Sequence, residues 1–486
     1  MTETSSIRPA TLKDALVPLI SLFILLASSV ILFSDDSSYG PNQIALILSA
    51  FIASLMALKN GFKWKDIEQA MIKGISLSMG AILILLAVGA LIGTWIVSGT
   101  VPTLIYFGLS LLSPAFFYTA ACIICAVVAI SIGSSWTVAA TIGVALMGVA
   151  QGLGMDQAIT AGAVISGAYF GDKMSPFSDT TNLAPAVAGS ELFSHIRYMA
   201  WTSIPSLVIS LILFTVIGFF SEGGVEPEQI GQMKASLSAS FNIGVAMLAP
   251  LGVLLFLAFK KMPAFPAVFL GALIGCVWAV IFQPQALSTL TGSDAALEQF
   301  KTLWAILFDG VVIETDSADL NDLLSGGGMS SMLNTVWLII SAMIFGAVME
   351  KAGFLQVVIQ AIVSRVKTIG GLVSSTVATC VGSNLVTADQ YISIVMPGRM
   401  YKEEYEKQEL DNLNLSRTLE DAGTLSSPLI PWNTCGAYMH SVLLVHPFEY
   451  LFFCFFNLLN PILAIIYAYV GFKILRIKPK NQAASA

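Results

Sequence analysis

The sequence predicts an all-α polytopic membrane protein, built as an inverted-topology repeat with two re-entrant-type helical hairpins and two broken transmembrane helices. Three observations carry that expectation. Of the 486 residues, 56% are hydrophobic and 11% charged, with a mean hydropathy of +0.82, whereas soluble domains carry about 25% charged residues. The apolar runs follow an order that occurs twice along the chain. Two of them are interrupted by proline and polar residues, which a bilayer accepts only where protein or a polar cavity surrounds them.

Arg8 and Lys13 precede a first span, Leu16 to Phe33, which is too long for a signal peptide core. A second, Ile44 to Leu58, leads to Lys59, Lys63, Lys65 and Lys73, so the N-terminus and this basic loop are expected on the cytoplasmic side. Gly74 to Val97 returns outward. Val101 to Leu112 is short enough to read as interfacial. Pro114 to Ile132 and an arm ending at Val149 flank the polar tip Gly133-Ser134-Ser135, the profile of a hairpin. The stretch G-D-K-M-S-P-F-S-D-T-T-N-L-A-P, Gly171 to Pro185, is the first broken helix. Tyr198 to Phe220 closes a first repeat, 1–220, and the acidic 221–240 is expected as an external linker.

The second repeat, 241–486, reads the same way. Phe241 to Phe259 ends at Lys260-Lys261, and Pro266 to Phe282 follows. An acidic insertion, 284–330, is expected outside; it carries Glu314, Asp316, Asp319 and Asp322 and a flexible Gly326-Gly327-Gly328. Asn334 to Met349 and the short Phe354 to Val363 lead to a second hairpin, Gly370 to Met396, with its tip at Gly382-Ser383-Asn384. A charged loop, Arg399 to Asp421, precedes the second broken stretch, Gly423 to Thr434, G-T-L-S-S-P-L-I-P-W-N-T. Phe448 to Val470 ends the array before Lys473, Arg476, Lys478 and Lys480. The tips align as Gly133-Ser134-Ser135 with Gly382-Ser383-Asn384, and the breaks as Ser175-Pro176…Asp179-Thr180 with Ser427-Pro428…Asn433-Thr434. The first repeat starts inside and ends outside, the second does the reverse, and both termini are expected in the cytoplasm. Such antiparallel halves place a site at the midplane.

The first broken stretch resembles the signature of the NhaC family of sodium/proton antiporters, within the wider ion-transporter superfamily. Length, repeat, hairpins and the partner motif Ser426-Ser427-Pro428 to Thr434 extend the likeness over nearly the whole chain. The resemblance implies exchange of sodium for protons across the cytoplasmic (inner) membrane of a bacterium. The alternative is a sodium- or proton-coupled carrier of a small organic acid or amino acid, since relatives move such solutes.

The residues support a cation site on their own account. Hard cations take carboxylate, carbonyl and hydroxyl oxygen. The candidate ion-binding residues are Ser134, Ser135, Asp172, Ser175, Asp179, Thr180, Asn182, Ser383, Asn384, Asp389, Ser427, Asn433 and Thr434, with Asp179, Asn182, Asn384 and Asp389 as the direct sodium ligands. Asp389, five residues past the expected tip and opposite Ala140 in the first repeat, is the carboxylate expected to exchange proton for sodium. Lys173 reads as a structural partner of Asp172 or Asp421. His195, His440 and His446 read as interfacial, and Glu350-Lys351 with the Arg399 to Asp421 loop as solvated charge.

No cofactor is expected; sodium enters as substrate or coupling ion. Tyr169-Phe170-Gly171-Asp172 lacks the first glycine of an intramembrane aspartyl protease motif, and H-E-x-x-H and G-x-S-x-G do not occur, so the reading is not an enzyme. The formal charge of −7 comes mostly from acidic loops; the partners expected are the lipid bilayer and the transported ions, not nucleic acid, and a homodimer is compatible with the pattern. Six cysteines in apolar surroundings, including Cys122-x-x-Cys125, read as small packing residues.

Overall fold

In the computed structural model, which describes residues 7–221, 227–313, 321 and 324–477, the chain is helical throughout and the described residues make only isolated β-bridges. Nine helices among them are long and apolar enough to cross a membrane, or up to eleven if each bent pair counts as one. The predicted class is the observed one.

The first half opens with α1 (Leu12–Phe33), α2 (Pro41–Lys59) and α3 (Trp64–Val97). With 34 residues α3 is about 51 Å long, well beyond an apolar core of about 30 Å. The short α4 (Thr100–Leu111) starts at left-handed Gly99. Next come the hairpin arms α5 (Phe117–Ile132) and α6, the run Ser135–Gly152 that holds a π-turn at Ala139–Gly143. Then follow α7 (Gln157–Met174), α8 (Asp179–Ala188) and α9 (Leu192–Phe220). Helices α5 and α7 lie backbone to backbone. A methyl group on Gly167 would stand 2.1 Å from the carbonyl oxygen of Cys122 and 3.0 Å from Cβ of Cys125. Small residues allow that approach, the usual way helices associate without a hydrophobic drive. The C-x-x-C thus packs, as expected, and all six cysteines are free thiols.

The expected linker at 221–240 holds a helix, α10 (Pro227–Ser240), bent by 80° from the segment that continues into α11 (Ala249–Phe259). After α12 (Ala264–Phe282), the insertion forms α13 (Pro284–Thr291) and α14 (Ala296–Asp309). Its glycine run is not a flexible spacer. Gly326, Gly327 and Gly328 all have positive φ, and the Gly328 amide donates to the Gly89 carbonyl of α3 at 2.6 Å. A Cβ on Gly89 would lie 2.3 Å from the Gly328 carbonyl oxygen, so glycine is required on both sides of this clasp. The acidic Glu314, Asp316, Asp319 and Asp322 lie outside the described residues, as do Lys478 and Lys480.

The order then recurs: α15 (Leu333–Lys351), the short α16 (Phe354–Val363), hairpin arms α17 (Ile369–Thr387) and α18 (Gln390–Lys407), the pair α19 (Asn412–Leu419) and α20 (Thr434–Leu443), and the closing α21 (Phe455–Val470), bent by 57° from the turn of helix before it. Two expectations are corrected here. Gly382-Ser383-Asn384 is not a tip; α17 runs straight through it. The turn comes at Ala388, left-handed at φ +56°, followed by Asp389 as the N-cap of α18. That matches Gly133, left-handed at φ +76°, followed by Ser134 as the N-cap of α6. Asp389 therefore corresponds to Ser134, not Ala140, and sits at the tip rather than five residues past it. The Arg399 to Asp421 segment is not a solvated loop either: α18 continues to Lys407, and α19 with the π-turn Glu420–Thr424 is buried.

Candidate functional site

Four helices start at one central place, each capped by a side chain on its own first turn. Ser134 accepts from the Thr137 amide, Ser178 from Thr181, Asp389 from Ile392 and Asn433 from Cys435. Pro176 explains why α7 stops at Met174, since proline disfavours helix at the residue preceding it, and Pro428 lies in the 3-10 turn Ser427–Leu429 where the run continuing from α19 gives way to the break. At the second break the caps align Ser178 with Asn433 and Asp179 with Thr434, one residue off the expected pairing.

The tips and breaks are tied together. Asp172 Oδ2 accepts from the Ser135 amide at 2.9 Å and from its hydroxyl at 2.6 Å, joining first tip to first break. The Thr434 amide donates to the Ala388 carbonyl at 2.9 Å, joining second tip to second break. Across the halves, the Tyr391 hydroxyl donates to Asp179 Oδ2. The Trp136 ring stacks on Tyr438 with centroids 4.0 Å apart, and the Tyr438 hydroxyl donates to the Trp136 carbonyl.

Between these elements lies a cavity of about 640 Å³ whose walls include Ser134, Ser135, Asp172, Asp179, Asp389 and Thr434. It reaches the α11–α12 loop at Lys261, where that ammonium rests 4.5 Å from the Phe177 ring centroid. Asp172 and Asp389 are each 7% exposed, and Asp172 Oδ1 is buried with no partner. Asp179 is open to the cavity, its Oδ1 taken by the Thr180 amide at 2.8 Å. Among the described residues no three His, Cys, Asp or Glu side chains converge closely enough to hold a metal ion. The carboxylates line one space from separate elements, with hydroxyls between them. Such an arrangement attracts a cation and offers it oxygen from several elements.

The other expected ligands do not face this space. Asn182 is exposed and its amide donates to the Pro176 and Ser178 carbonyls. Asn384 is a brace: it donates to the Gly423 carbonyl at 2.6 Å and to Ser426, and accepts from Ser393 and Asn433. Those partners let a polar side chain stay inside an unbroken helix. Ser383 is buried in the same helix. Ser175 donates to the Ile130 carbonyl, and Ser427 to the Thr424 carbonyl and Gln390. The Thr180 hydroxyl turns away from the cavity to Glu420, at 3.0 Å.

Behind the breaks Lys173 meets charges of the Arg399 to Asp421 segment, which the sequence reading left in solvent. Lys173, Arg417, Glu420 and Asp421 are all at 0% exposure. Lys173 donates to Asp421, as expected for one of its two candidate partners, and to Asn460 at 2.9 Å. Thr202 donates to the same Asp421 oxygen at 3.1 Å, and the Arg417 guanidinium lies 4.4 Å from the Tyr198 ring centroid. His195, read as interfacial, is fully buried with Nδ1 2.9 Å from the Ser416 hydroxyl. His440 and His446 stack edge to face at 5.2 Å. Tyr391, Gln390, Trp136 and Lys261 also line the cavity without having been singled out. Their signal was position: the first two directly follow Asp389, and Trp136 follows Ser135.

Comparison with known proteins agrees with this picture. The family described as "Na+/H+ antiporter family" matches residues 10–181 and 167–472. The chain is 38% identical over 466 residues to the malate-2H(+)/Na(+)-lactate antiporter of Bacillus subtilis, covering 96% of each. It is 40% identical to the Na(+)/H(+) antiporter NhaC of Alkalihalophilus pseudofirmus, over 88% of this chain and 90% of that one. It is also 35% identical to the arginine/ornithine antiporter ArcD of Halobacterium salinarum, over 96% and 94%.

Proposed function

The chain belongs to the Na+/H+ antiporter family, and from that membership we propose that it exchanges sodium for protons at the cavity lined by Asp172, Asp179 and Asp389 in the inner membrane of a bacterium. The observation that carries the proposal is the meeting of both hairpin tips and both helix breaks on one cavity with three carboxylates. Sodium favours the ionised carboxylates and a proton neutralises them, so each displaces the other from shared groups under alternating access. Ser134, Ser135 and Thr434 supply neutral oxygens. Asn182 and Asn384 hold the frame instead. Both termini and the Lys261 mouth belong on the cytoplasmic side, and the two halves are inverted repeats, 1–220 and 241–486. The basic loops at Lys59–Lys73 and Lys260-Lys261 support that placement.

A second reading is coupled transport of a small organic acid or amino acid. What favours it is size: about 640 Å³ is more room than an ion and its first water shell need, and Lys261 lines the wall. Purified protein in liposomes with a trapped pH dye tests both. Sodium-driven proton movement, lost in Asp179→Asn and Asp172→Asn, supports the first. A solute gradient of malate, lactate, arginine or ornithine that drives proton movement where sodium alone drives none would replace it with the second.

A further inference from the structure

Glu420 lies outside the cavity yet is wired to it. It opens the π-turn Glu420–Thr424 at the end of α19, an irregularity that proteins favour at functional sites. Its side chain is at 0% exposure. One carboxylate oxygen accepts from the Thr180 hydroxyl at 3.0 Å; the other is buried and has no partner. Thr180 is the residue after cavity-lining Asp179, and its amide donates to that aspartate. Nearly every buried polar atom in a folded protein is hydrogen-bonded, so an orphaned oxygen on a carboxylate held by the neighbour of cavity-lining Asp179 calls for a physical role.

Building on the exchange reading, we propose that Glu420 is a further proton-binding group of the transport cycle, separate from the cavity carboxylates and set against them by charge. The ionisable groups around it define the effect. They are Lys173 and Asp172 on α7, Asp179 beside Thr180 on α8, Arg417 and Asp421 on its own helical run, His195 on α9 beside Ser416, and the Tyr405 phenol on α18, which faces Arg417. With Glu420 ionised, Lys173, Arg417, Glu420 and Asp421 sum to zero; with a proton on it they sum to +1. That added charge stands behind the cavity wall and repels sodium through an interior that screens poorly. Sodium arriving in the cavity therefore expels this proton, and sodium leaving admits it, with no ligand in common.

The transfer is simple to balance. A hydronium ion in the cavity gives up its proton and leaves water; the proton passes along the hydroxyls of Ser178 and Thr180, 3.2 Å apart, as the Thr180 hydroxyl's own proton passes to Glu420. The result is one carboxylic acid and one restored hydroxyl. The return runs in reverse.

The test compares apparent sodium affinity against pH, and sodium/proton with sodium/sodium exchange, in liposomes holding wild type, Glu420→Gln or Thr180→Val. Wild-type affinity should weaken as pH falls, by up to about tenfold per pH unit for each proton that sodium must displace. Glu420→Gln should flatten that dependence by one proton and weaken affinity at alkaline pH, while sodium/sodium exchange persists. Thr180→Val should slow sodium/proton exchange and leave the pH slope in place. A Glu420→Gln slope superimposed on wild type, or equal loss of both exchange modes, overturns the proposal. If that variant does not accumulate, an unchanged sodium/proton rate in Thr180→Val overturns it instead. Absence of sodium-driven proton movement in wild type would remove the exchange reading first, and this inference with it.

Discussion

Lys173 and Asp421 meet at 0% exposure from helices 248 positions apart in the chain. A pair of this kind adds little net stability over an apolar pair, but removing one partner strands the other without solvent. Breaking a buried pair costs about 3–5 kcal/mol, while replacing both sides with apolar groups is often neutral. Lys173→Met alone and Asp421→Leu alone should therefore each lower thermal stability sharply, and the double variant should recover most of it. Thermal unfolding of the three proteins in detergent checks this. Additive losses in the double variant would show that the two side chains are not a pair. Recovery of stability without recovery of transport would locate the functional value of the group in its charges.

At the scale of elements, the hairpins show what the sequence discloses and what it hides. The first tip was legible because glycine occupies its left-handed position, Gly133, and a serine cap follows. The second tip has Ala388 in the left-handed position, where no glycine announces the turn, and only the Asp389 cap marks it. The polar run Gly382-Ser383-Asn384 drew the reading five residues early, since Asn384 looks like a helix breaker until its partners on Gly423, Ser426, Ser393 and Asn433 are known. The same asymmetry recurs where α8 ends at left-handed Gly189 and α20 at left-handed Leu444. Arg417, Glu420 and Asp421 were hidden for a related reason. A short helix with charge on several sides reads as loop, and its burial depends on partners from α7 and α9 that no local pattern reveals. The broken stretches, by contrast, were plain, because proline and aspartate inside an apolar path leave few alternatives. The tip placement gives a prediction of sign. Ala388→Gly should raise stability by about 1 kcal/mol, because a left-handed alanine is strained. Were Ala388 inside a helix, the same change would lower stability by about 1 kcal/mol. The shift in melting temperature distinguishes the two.

At the scale of the whole molecule, the proposed orientation can be checked at two exposed positions. The cavity ends at Lys261, in the exposed loop between α11 and α12, while Asp294 lies in the exposed insertion beyond α12. Since α12 is a candidate span, the two positions should lie on opposite faces. An impermeant maleimide should label Lys261→Cys only from the cytoplasmic side and Asp294→Cys only from outside. Background should be low, because five of the six native cysteines are buried and Cys276 is half-buried. Labelling of both from one side would sink the proposed orientation.

The clasp between Gly89 and the 326–328 glycines adds a mechanical point. Leu77, Ser78, Gly80, Ala81 and Ile84 of α3 wall the ion cavity. From Ser78 to Gly89 along the same helix is about 16 Å. The insertion is therefore a handle riveted to a rod whose middle borders the cavity. An antibody fragment that grips the insertion would restrain α3 without approaching the ion, and a fluorophore on α14, which packs on α3 where Ile306 meets Gly93, would report that helix's movements.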